Sequence, residues 1–441
     1  MTRVLILDGD GVGLDLALRC LDAGHEVKLA QVQKKPTRNG EGFPKLERIT
    51  DWKAAMAWAK PGIVIPTCNN KFINELERYR DLGFNIFGPT KRSEALEIDR
   101  AKGLEAMQKV GIEVPHYETF DSLKAAEAFA RKADQAYVFK TMGDEEDKSL
   151  SYVASDPADL VGWLQRKQAQ GMTLKAQCML QEKIDMVAEL GVSGWFGPEG
   201  FLPDKWQICF EHKKLMPSNF GPNTGEMGTV CQYVAEDKMA DEMLKPMEAE
   251  LLKAGHTGDF AVGCGVDSKG RAWPFEFTAR LGWPAFFIQC ASHKGDPVKW
   301  MMDLLKGEVS LKVSNDVAIG VVMAQPQFPY STAAPNEVEG NPISGVDAVW
   351  DHVHPVDMMI GKGPMMKGGK VVDGPIYQTA GEYVMVCTGL GRSVAAARKK
   401  VYDAVNEIAF ANQIVRCDIG EKVAEQLPDL HKLGYALDMK P

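Results

Sequence analysis

Glu276, Thr278 and Arg280 fall at alternate positions of the stretch PFEFTARLG, and on an extended strand alternation turns all three to one face. A carboxylate, a neutral oxygen and a guanidinium on one face suit a magnesium nucleotide. Oxygen ligands hold the hard cation, and the arginine stabilises the charge of a phosphoryl group in transfer. The same alternation also makes an ordinary ion pair on an edge strand. Lys140 ends the apolar strand AYVF and Lys148 follows an acidic loop; a lysine so placed either meets an anion or stops a strand in solvent. Arg100, Glu182 and Glu189 are unremarked charged positions when read singly.

Residues 221–228 read GPNTGEMG. Successive glycines let backbone N–H groups approach an anion closely, although a plain β-turn loop draws on the same residues. DGDGVG, after the first apolar run, has glycines at 9, 11 and 13 but a leucine where a G-x-G-x-x-G fingerprint needs its last glycine, so it is a weak dinucleotide signal. His352 and His354 in DHVHP alternate on an extended segment and could share a metal. With no third His or Cys nearby, solvated or hydrogen-bonded histidines are the favoured reading.

The elements that must carry these residues follow from periodicity. RVLIL, a DGDGVG turn, the helically spaced LDLALRCLDAG and HEVKLA make a β-α-β opening, and GIVIPTC, KFINELERYRDLG and FNIFG make a second such unit. Two units predict a parallel sheet covered by helices. From DRAKGLEAMQKVGIEVP onward helices and strands mix. The strand AYVFK leads into TMGDEEDKS, and a long α+β region runs through CMLQEKID, ELGVSGWFG, KWQICFEHKK, DFAVGCGVD and AWPFEFTARLG. Near residue 315 there is a break, after which VAIGVVMAQ, GEYVMVCTGLG and the helix SVAAARKKVYDAVNEI suggest a smaller α+β unit.

At 441 residues the chain is long enough for several packed units. Its formal charge of 51 minus 60, or -9, with no long basic block, argues against nucleic acid or anionic lipid as a partner. No run of about 18 apolar residues exists to span a bilayer, and MTRVLILDGDG lacks the cleavable apolar stretch of a signal peptide. Nine scattered cysteines without a C-x-x-C pair point to reduced thiols in a cytoplasmic protein. Nothing in the sequence sets an oligomeric state.

In order and content, these pieces resemble one family along nearly the whole chain: phosphoribosylamine-glycine ligase, of the ATP-grasp superfamily. FGPTKRSEALE at 87–97, GIEVPHYETF at 111–120, EHKK at 211–214, GPNTGEMG, FEFTARLG, IGVVMA at 319–324, VCTGLGRSVAAARKKVY and the closing RCDIG carry the resemblance. It implies a mixed α/β and α+β ATP-grasp fold: a Rossmann-like domain at 1–98, an ATP-grasp core at 99–314 with a lid at about 118–190, and a small C-terminal α+β domain at 315–441.

It also implies a ligase of purine biosynthesis that uses ATP and Mg2+ (or Mn2+) to phosphorylate a small-molecule carboxylate, which an amine then attacks to give an amide, ADP and phosphate. Under it, Arg100, Lys140, Lys148, Glu182 and Glu189 contact ATP, and Glu276 and Thr278 bind the metal. Arg280, Lys213 and Glu226 serve the reacting groups, and Asn223, Thr224, Gly225 and Asp8 face substrate. The departures lie in the loops. DGDGVGLDLA stands for GGREHA, so Asp8, Asp10 and Asp15 are expected to repel a phosphate. PTCNNKF replaces the GPE-x-PL loop and EEDKSL replaces AAGKGV. RLGWPA stands for RFGDPE, and Glu226 replaces the second glycine of GPNTGGMG, where its charge could attract an ammonium group. The alternatives are a relative that joins another amino acid to another amine, and a non-catalytic nucleotide-binding relative.

Overall fold

The computed structural model describes residues 1–441 apart from 34–36, 69–70, 143–150, 331 and 333. RVLIL folds as the strand Arg3–Asp8, between Glu26–Gln31 and Ile63–Pro66, with Glu47–Ile49 outermost; all four are parallel. Both faces of this sheet are covered. Val4 and Ile6 pack with Leu16, Ala17 and Cys20 of the helix Leu14–Asp22. Leu5 and Leu7 pack with Ala55 and Met56 of Trp52–Ala59 and with Leu76 of Ile73–Asp81. A sheet buried on two sides needs continuous apolar strands, which is why RVLIL and IVIP do not alternate. FNIFG, expected as another strand, makes only an isolated parallel bridge, Ile86 to Val64. Phe87 turns away to pack on Trp195 and Trp300 of the central core.

Two helices follow, Lys91–Ile98 and Arg100–Lys109. Asp99 between them has an extended backbone (φ -102, ψ 97) that breaks the helix, and its side chain accepts from Lys102 N at 3.3 Å to start the next. This break leaves Glu97 at the end of one helix and Arg100 at the start of the other, beside the strand Ala272–Thr278.

The segment expected as a lid, and called so below, forms a four-stranded antiparallel sheet, in the order Tyr117–Phe120, Cys178–Glu182, Tyr137–Thr141, Tyr152–Val153. The helices Leu123–Ala130 and Pro157–Ala169 cover it, over a core that includes Phe139, Leu160 and Leu164. The central sheet has ten strands. Eight form a path of Ala272–Thr278, Gly258–Asp267, Met186–Gly197, Trp206–Glu211, Gly228–Val234, Val317–Ala324, Met385–Gly391 and Val353–Pro355, while Gly200–Phe201 pairs with Met186–Gly197 and Ile414–Val415 with Val317–Ala324 off it. The sheet therefore continues across residue 315: Gly228 to Cys231 pair antiparallel with Val321 to Ala318. Beyond it lies a separate sheet of Glu339–Pro342, Lys370–Ala380 and Met358–Lys367.

SVAAARKKVYDAVNEI forms the helix Val394–Glu407, capped by Ser393. It presses so closely on Met385–Gly391 that a Cβ at Gly389 would stand 2.5 Å from Val401 N. All nine cysteines are free, eight of them buried. No helix among the described residues is long and apolar enough to cross a membrane.

Candidate active site

The site lies where the lid, the helix pair at 91–109 and the edge of the central sheet face one another. On Tyr137–Thr141 the residues Tyr137, Phe139 and Thr141 are buried in the lid, and alternation gives Lys140 the other face. Lys140 Nζ donates to Gln181 Oε1 at 2.7 Å and lies 5.9 Å from the centroid of Phe275. Burial first, then the charge of Arg100, brings its pKa down to about 8, against the pull of Glu276 and Glu189. Arg100, only 7% exposed, donates to Thr141 O at 3.1 Å and to Glu276 Oε2 at 3.2 Å. Glu276 keeps its other side toward solvent, its side chain being 47% exposed.

The strand Ala272–Thr278 has an irregular register, Gly263 opposing Glu276 while Cys264 opposes Pro274. Phe275 is the extra residue, and this bulge lets both Phe275 and Glu276 reach the cleft. Phe277 is buried against Phe260, and Thr278 returns to the face of Glu276. Arg280, just past the strand, lies 3.2 Å from Glu97 Oε1, and Ala279 N donates to Glu97 Oε2 at 2.8 Å. The carboxylate of Glu97, opposed by burial, holds the Arg280 guanidinium firmly charged.

The third contribution comes from the hairpin after Trp206–Glu211. Lys213 Nζ sits 2.9 Å from Glu211 Oε2. Glu211, and more weakly Glu276 and Glu226, push its pKa up against burial. Thr224 N and Oγ1 both donate to Lys213 O, at 2.7 and 2.9 Å, which closes the hairpin. Asn223 is exposed, and no atom would lie within 4 Å of a Cβ on Gly225, so the backbone at Gly225 faces open space. Glu226 accepts from Thr229 Oγ1. Burial and the neighbouring Glu211 raise its pKa well above the ordinary carboxylate range, while Thr229, Lys213 and Arg280 work the other way.

The structure thus gathers Arg100, Lys140, Lys213, Glu226, Glu276, Thr278 and Arg280, with Glu189 close enough to act on Lys140. Glu182 ends the neighbouring lid strand, where Gln135 Nε2 donates to it at 2.7 Å. Lys148 lies outside the described residues.

Asp8 is a correction. It is fully buried, and its oxygens accept from the N–H groups of Gly11, Val12 and Gly13 at 2.9, 3.1 and 3.1 Å and from Thr67 Oγ1 at 3.1 Å. It closes the first loop instead of facing substrate. Asp10 is 2.9 Å from Lys71. Asp15 pairs with Arg19 at 2.8 Å and His354 at 3.0 Å; these partners outweigh burial and hold it at about 2. Asp8 and Asp15 are engaged within the fold, which removes the basis for expecting those two to repel a phosphate, whereas Asp10 keeps a half-exposed carboxylate. His354 is buried in that ion cluster and bonded to Thr388 Oγ1, and His352 Nδ1 pairs with Thr388 O. Trp283 donates to Thr67 O at 3.0 Å, tying RLGWPA to the PTCNNKF loop.

Glu97, Glu211, Gln181 and Thr229 were not singled out from the sequence. The signal for two of them was present, since Glu97 ends FGPTKRSEALE and Glu211 opens EHKK. The partners of Lys140 and Glu226 depend on strand register, which spacing does not give.

A lid sheet closing over a larger antiparallel sheet, with basic residues from both and a carboxylate on the edge strand, is the ATP-grasp fold. Solved structures agree. Phosphoribosylamine-glycine ligase from Thermotoga maritima superposes with a TM-score of 0.69 at 20% identity, over 94% of this chain and 99% of its own. N5-carboxyaminoimidazole ribonucleotide synthetase from the same organism does so at 0.58 and 14%, over 94% and 99%. Biotin carboxylase from Campylobacter jejuni does so at 0.61 and 13%, over 98% and 97%.

Within that fold the sequence resembles the phosphoribosylamine-glycine ligases. Residues 318–422 match the family described as phosphoribosylglycinamide synthetase, C domain. The phosphoribosylamine-glycine ligase of Neisseria meningitidis is 27% identical over 369 residues, 79% of this chain and 81% of that protein. That of Salmonella typhimurium is 24% identical over 367 residues, 80% and 81%.

Proposed function

We propose that the chain is an ATP-dependent carboxylate-amine ligase of the phosphoribosylamine-glycine ligase kind, forming an amide through an acyl phosphate with release of ADP and phosphate. The observation that carries this reading is the convergence of Arg100, Lys140, Lys213 and Arg280 around Glu276 at the mouth of the lid. Four cations around the exposed carboxylate of Glu276 suit a triphosphate and the metal that accompanies it. Nucleotide binding supplies the phosphoryl group that turns a poor leaving group into a good one. Lys140 and Arg100 fix phosphate oxygens from the lid and helix side. Arg280, braced by Glu97, faces the charge that develops in transfer, and Lys213 neutralises the carboxylate being activated.

The donor set fits magnesium in a specific way. Among the described residues no group of three or more His, Cys, Asp or Glu could hold a metal by itself. Magnesium is ordinarily held by one or two carboxylates together with substrate phosphates and water, so Glu276 and Thr278 with a nucleotide suffice. The division at 98 and 314 is likewise proposed, with one qualification: the sheet runs through the second boundary.

Calorimetry with a non-hydrolysable ATP analogue, with and without magnesium, tests the reading. Magnesium-dependent binding is expected, and its absence up to millimolar analogue would rule the proposal out. Phosphate release from ATP in the presence of glycine and phosphoribosylamine tests the substrates.

The pKa of Lys140 adds a pH dependence. Its folded-state value lies below the usual lysine range, so the ammonium is present at pH 7 and is lost as pH rises through about 8. Affinity for the analogue should therefore be level near pH 7 and fall by up to about tenfold per pH unit above 8. Lys140→Arg, permanently charged, should flatten the profile. A wild-type affinity unchanged from pH 7 to 9.5 would remove Lys140 from the phosphate contacts.

Glu226 is assigned to the amine. A carboxylate held up by burial and by Glu211 gains most from a cationic ligand, which restores its charged form. Glu226→Gln should raise the Michaelis constant for the amine-bearing substrate about tenfold or more, the value of one charge-assisted hydrogen bond, with ATP affinity unaltered. Unchanged kinetics for every substrate would leave Glu226 as a structural partner of Thr229.

A further inference from the structure

The closing motif RCDIG lies far in sequence from every residue assigned above, yet it is built into the underside of the reactive hairpin. Arg416 is among the largest fully buried side chains, 2% exposed. Its guanidinium is forked onto Asp418, Nε to Oδ1 at 2.6 Å and Nη2 to Oδ2 at 3.1 Å. Its remaining donors go to the hairpin: Nη1 to Lys214 O and Nη2 to Asn219 Oδ1, each at 2.9 Å. Asp418 also accepts from Ser218 N at 2.8 Å. Ser218 and Asn219 both have positive φ, 56° and 59°, at the hairpin tip.

The same segment braces the two roots of the hairpin. Gly420 N donates to His212 Nε2 at 3.2 Å. At the other root, a Cβ on Gly228 would meet Gly320 O at 2.5 Å and Ile419 at 3.0 Å. RCDIG is held in turn by Tyr402 Oη to Arg416 O and Arg398 Nε to Ile419 O, both 2.8 Å. Every residue from 212 to 228 that faces the cleft therefore stands on a hairpin whose tip and two roots are tied to Arg416, Asp418, Ile419 and Gly420. A buried arginine that spends its donors on another segment's carbonyl and amide is expensive to leave unsatisfied, so its geometry is sharply fixed.

We propose that the Arg416–Asp418 pair is the positioning element of the reactive hairpin, setting where Lys213 and Glu226 stand relative to Glu276 and Arg280. The pair touches neither nucleotide nor substrate. It acts by holding Lys214 O and Asn219, and so selects one placement of the loop that carries the reacting-centre groups. The kinetic part rests on the ligase reading, whereas the structural part does not.

Asn219 gives a clean test because it is exposed and its side chain meets Arg416. Asn219→Gly keeps the positive φ and removes the acceptor, and Asn219→Asp keeps both. Arg416→Lys keeps the charge and loses the fork. Hydrogen-deuterium exchange over residues 211–227, compared with the strand Met186–Gly197, reads the hairpin directly. In Asn219→Gly and Arg416→Lys, exchange should rise at least tenfold over 211–227 and stay unchanged over 186–197, with Asn219→Asp close to wild type. In ATP turnover the same two variants should lose at least tenfold in kcat with the KM for ATP unchanged, again rescued in Asn219→Asp. Equal exchange over 211–227 in all four proteins, or a uniform rise across both segments, would overturn the proposal. So would unaltered kcat in the two clamp variants. A wild-type protein that turns over no ATP would defeat the ligase reading instead, and the exchange experiment would still decide the clamp.

Discussion

Arg280→Ala is expected to cost about 10³-fold or more in kcat while leaving the affinity for a non-hydrolysable ATP analogue nearly unchanged. The reason is the division of labour among the four cations. Lys140 and Arg100 stand on the lid and helix side, where, on the proposed reading, a ground-state triphosphate rests. Arg280 stands beyond the edge strand, held at 3.2 Å by Glu97 and charged by it. On the proposed reading this arginine meets charge that appears only in transfer, and such arginines are worth roughly 10³ to 10⁵ in phosphoryl-transfer enzymes. Single-turnover phosphate release alongside analogue calorimetry checks this. A matched loss in both measurements would make Arg280 a ground-state ligand. Glu97→Gln, which keeps the bond from Ala279 N but not the charge, should move kcat in the same direction by less.

Glu276→Gln should abolish magnesium-dependent analogue binding, with a loss on the order of 10²-fold or more in magnesium affinity, and leave the fold intact. The amide still accepts from Arg100, so the buried guanidinium keeps a partner, but a neutral oxygen is a poor ligand for a hard dication. Thr278 is the other oxygen offered on that face. Titrating magnesium at fixed analogue concentration, with thermal melting as the control for folding, checks the prediction. Undiminished magnesium dependence would place the metal elsewhere.

Much of the fold was legible because periodicity reports burial. RVLIL and IVIP, buried on both faces, and helices such as Leu14–Asp22 and Ile73–Asp81 were readable from pattern alone. The face shared by Glu276 and Thr278 was readable too, since alternation on a strand is geometry. What spacing could not give was anything that depends on which distant segment lies opposite. Asp8 looks like a charge beside a pocket until its loop is seen folded back on it. FNIFG has the composition of a strand, but Phe87 is drawn into an aromatic cluster with Trp195 and Trp300. Glu97 and Glu211 sat inside quoted motifs without a role, because their partners are set by the helix break at Asp99 and by the hairpin turn. The gap read near residue 315 reflects a change of texture along the chain. In space it is bridged, because Val317–Ala324 returns to pair with Gly228–Val234.

That bridge bears on how such a chain can change over evolutionary time. Gly228–Val234 is the strand from which the GPNTGEMG loop springs, and half its backbone hydrogen-bonding edge is satisfied only by residues beyond 315. A shortened descendant that lost the last third would bare that edge in mid-sheet, an open template for pairing with another chain. Losing the C-terminal part would therefore leave the sheet that carries the loop incomplete. Insertions should be tolerated at the far hairpin around Lys367 to Lys370, where the chain reverses in solvent. Substitutions in the tract from 317 to 324 should therefore bear on the loop it supports.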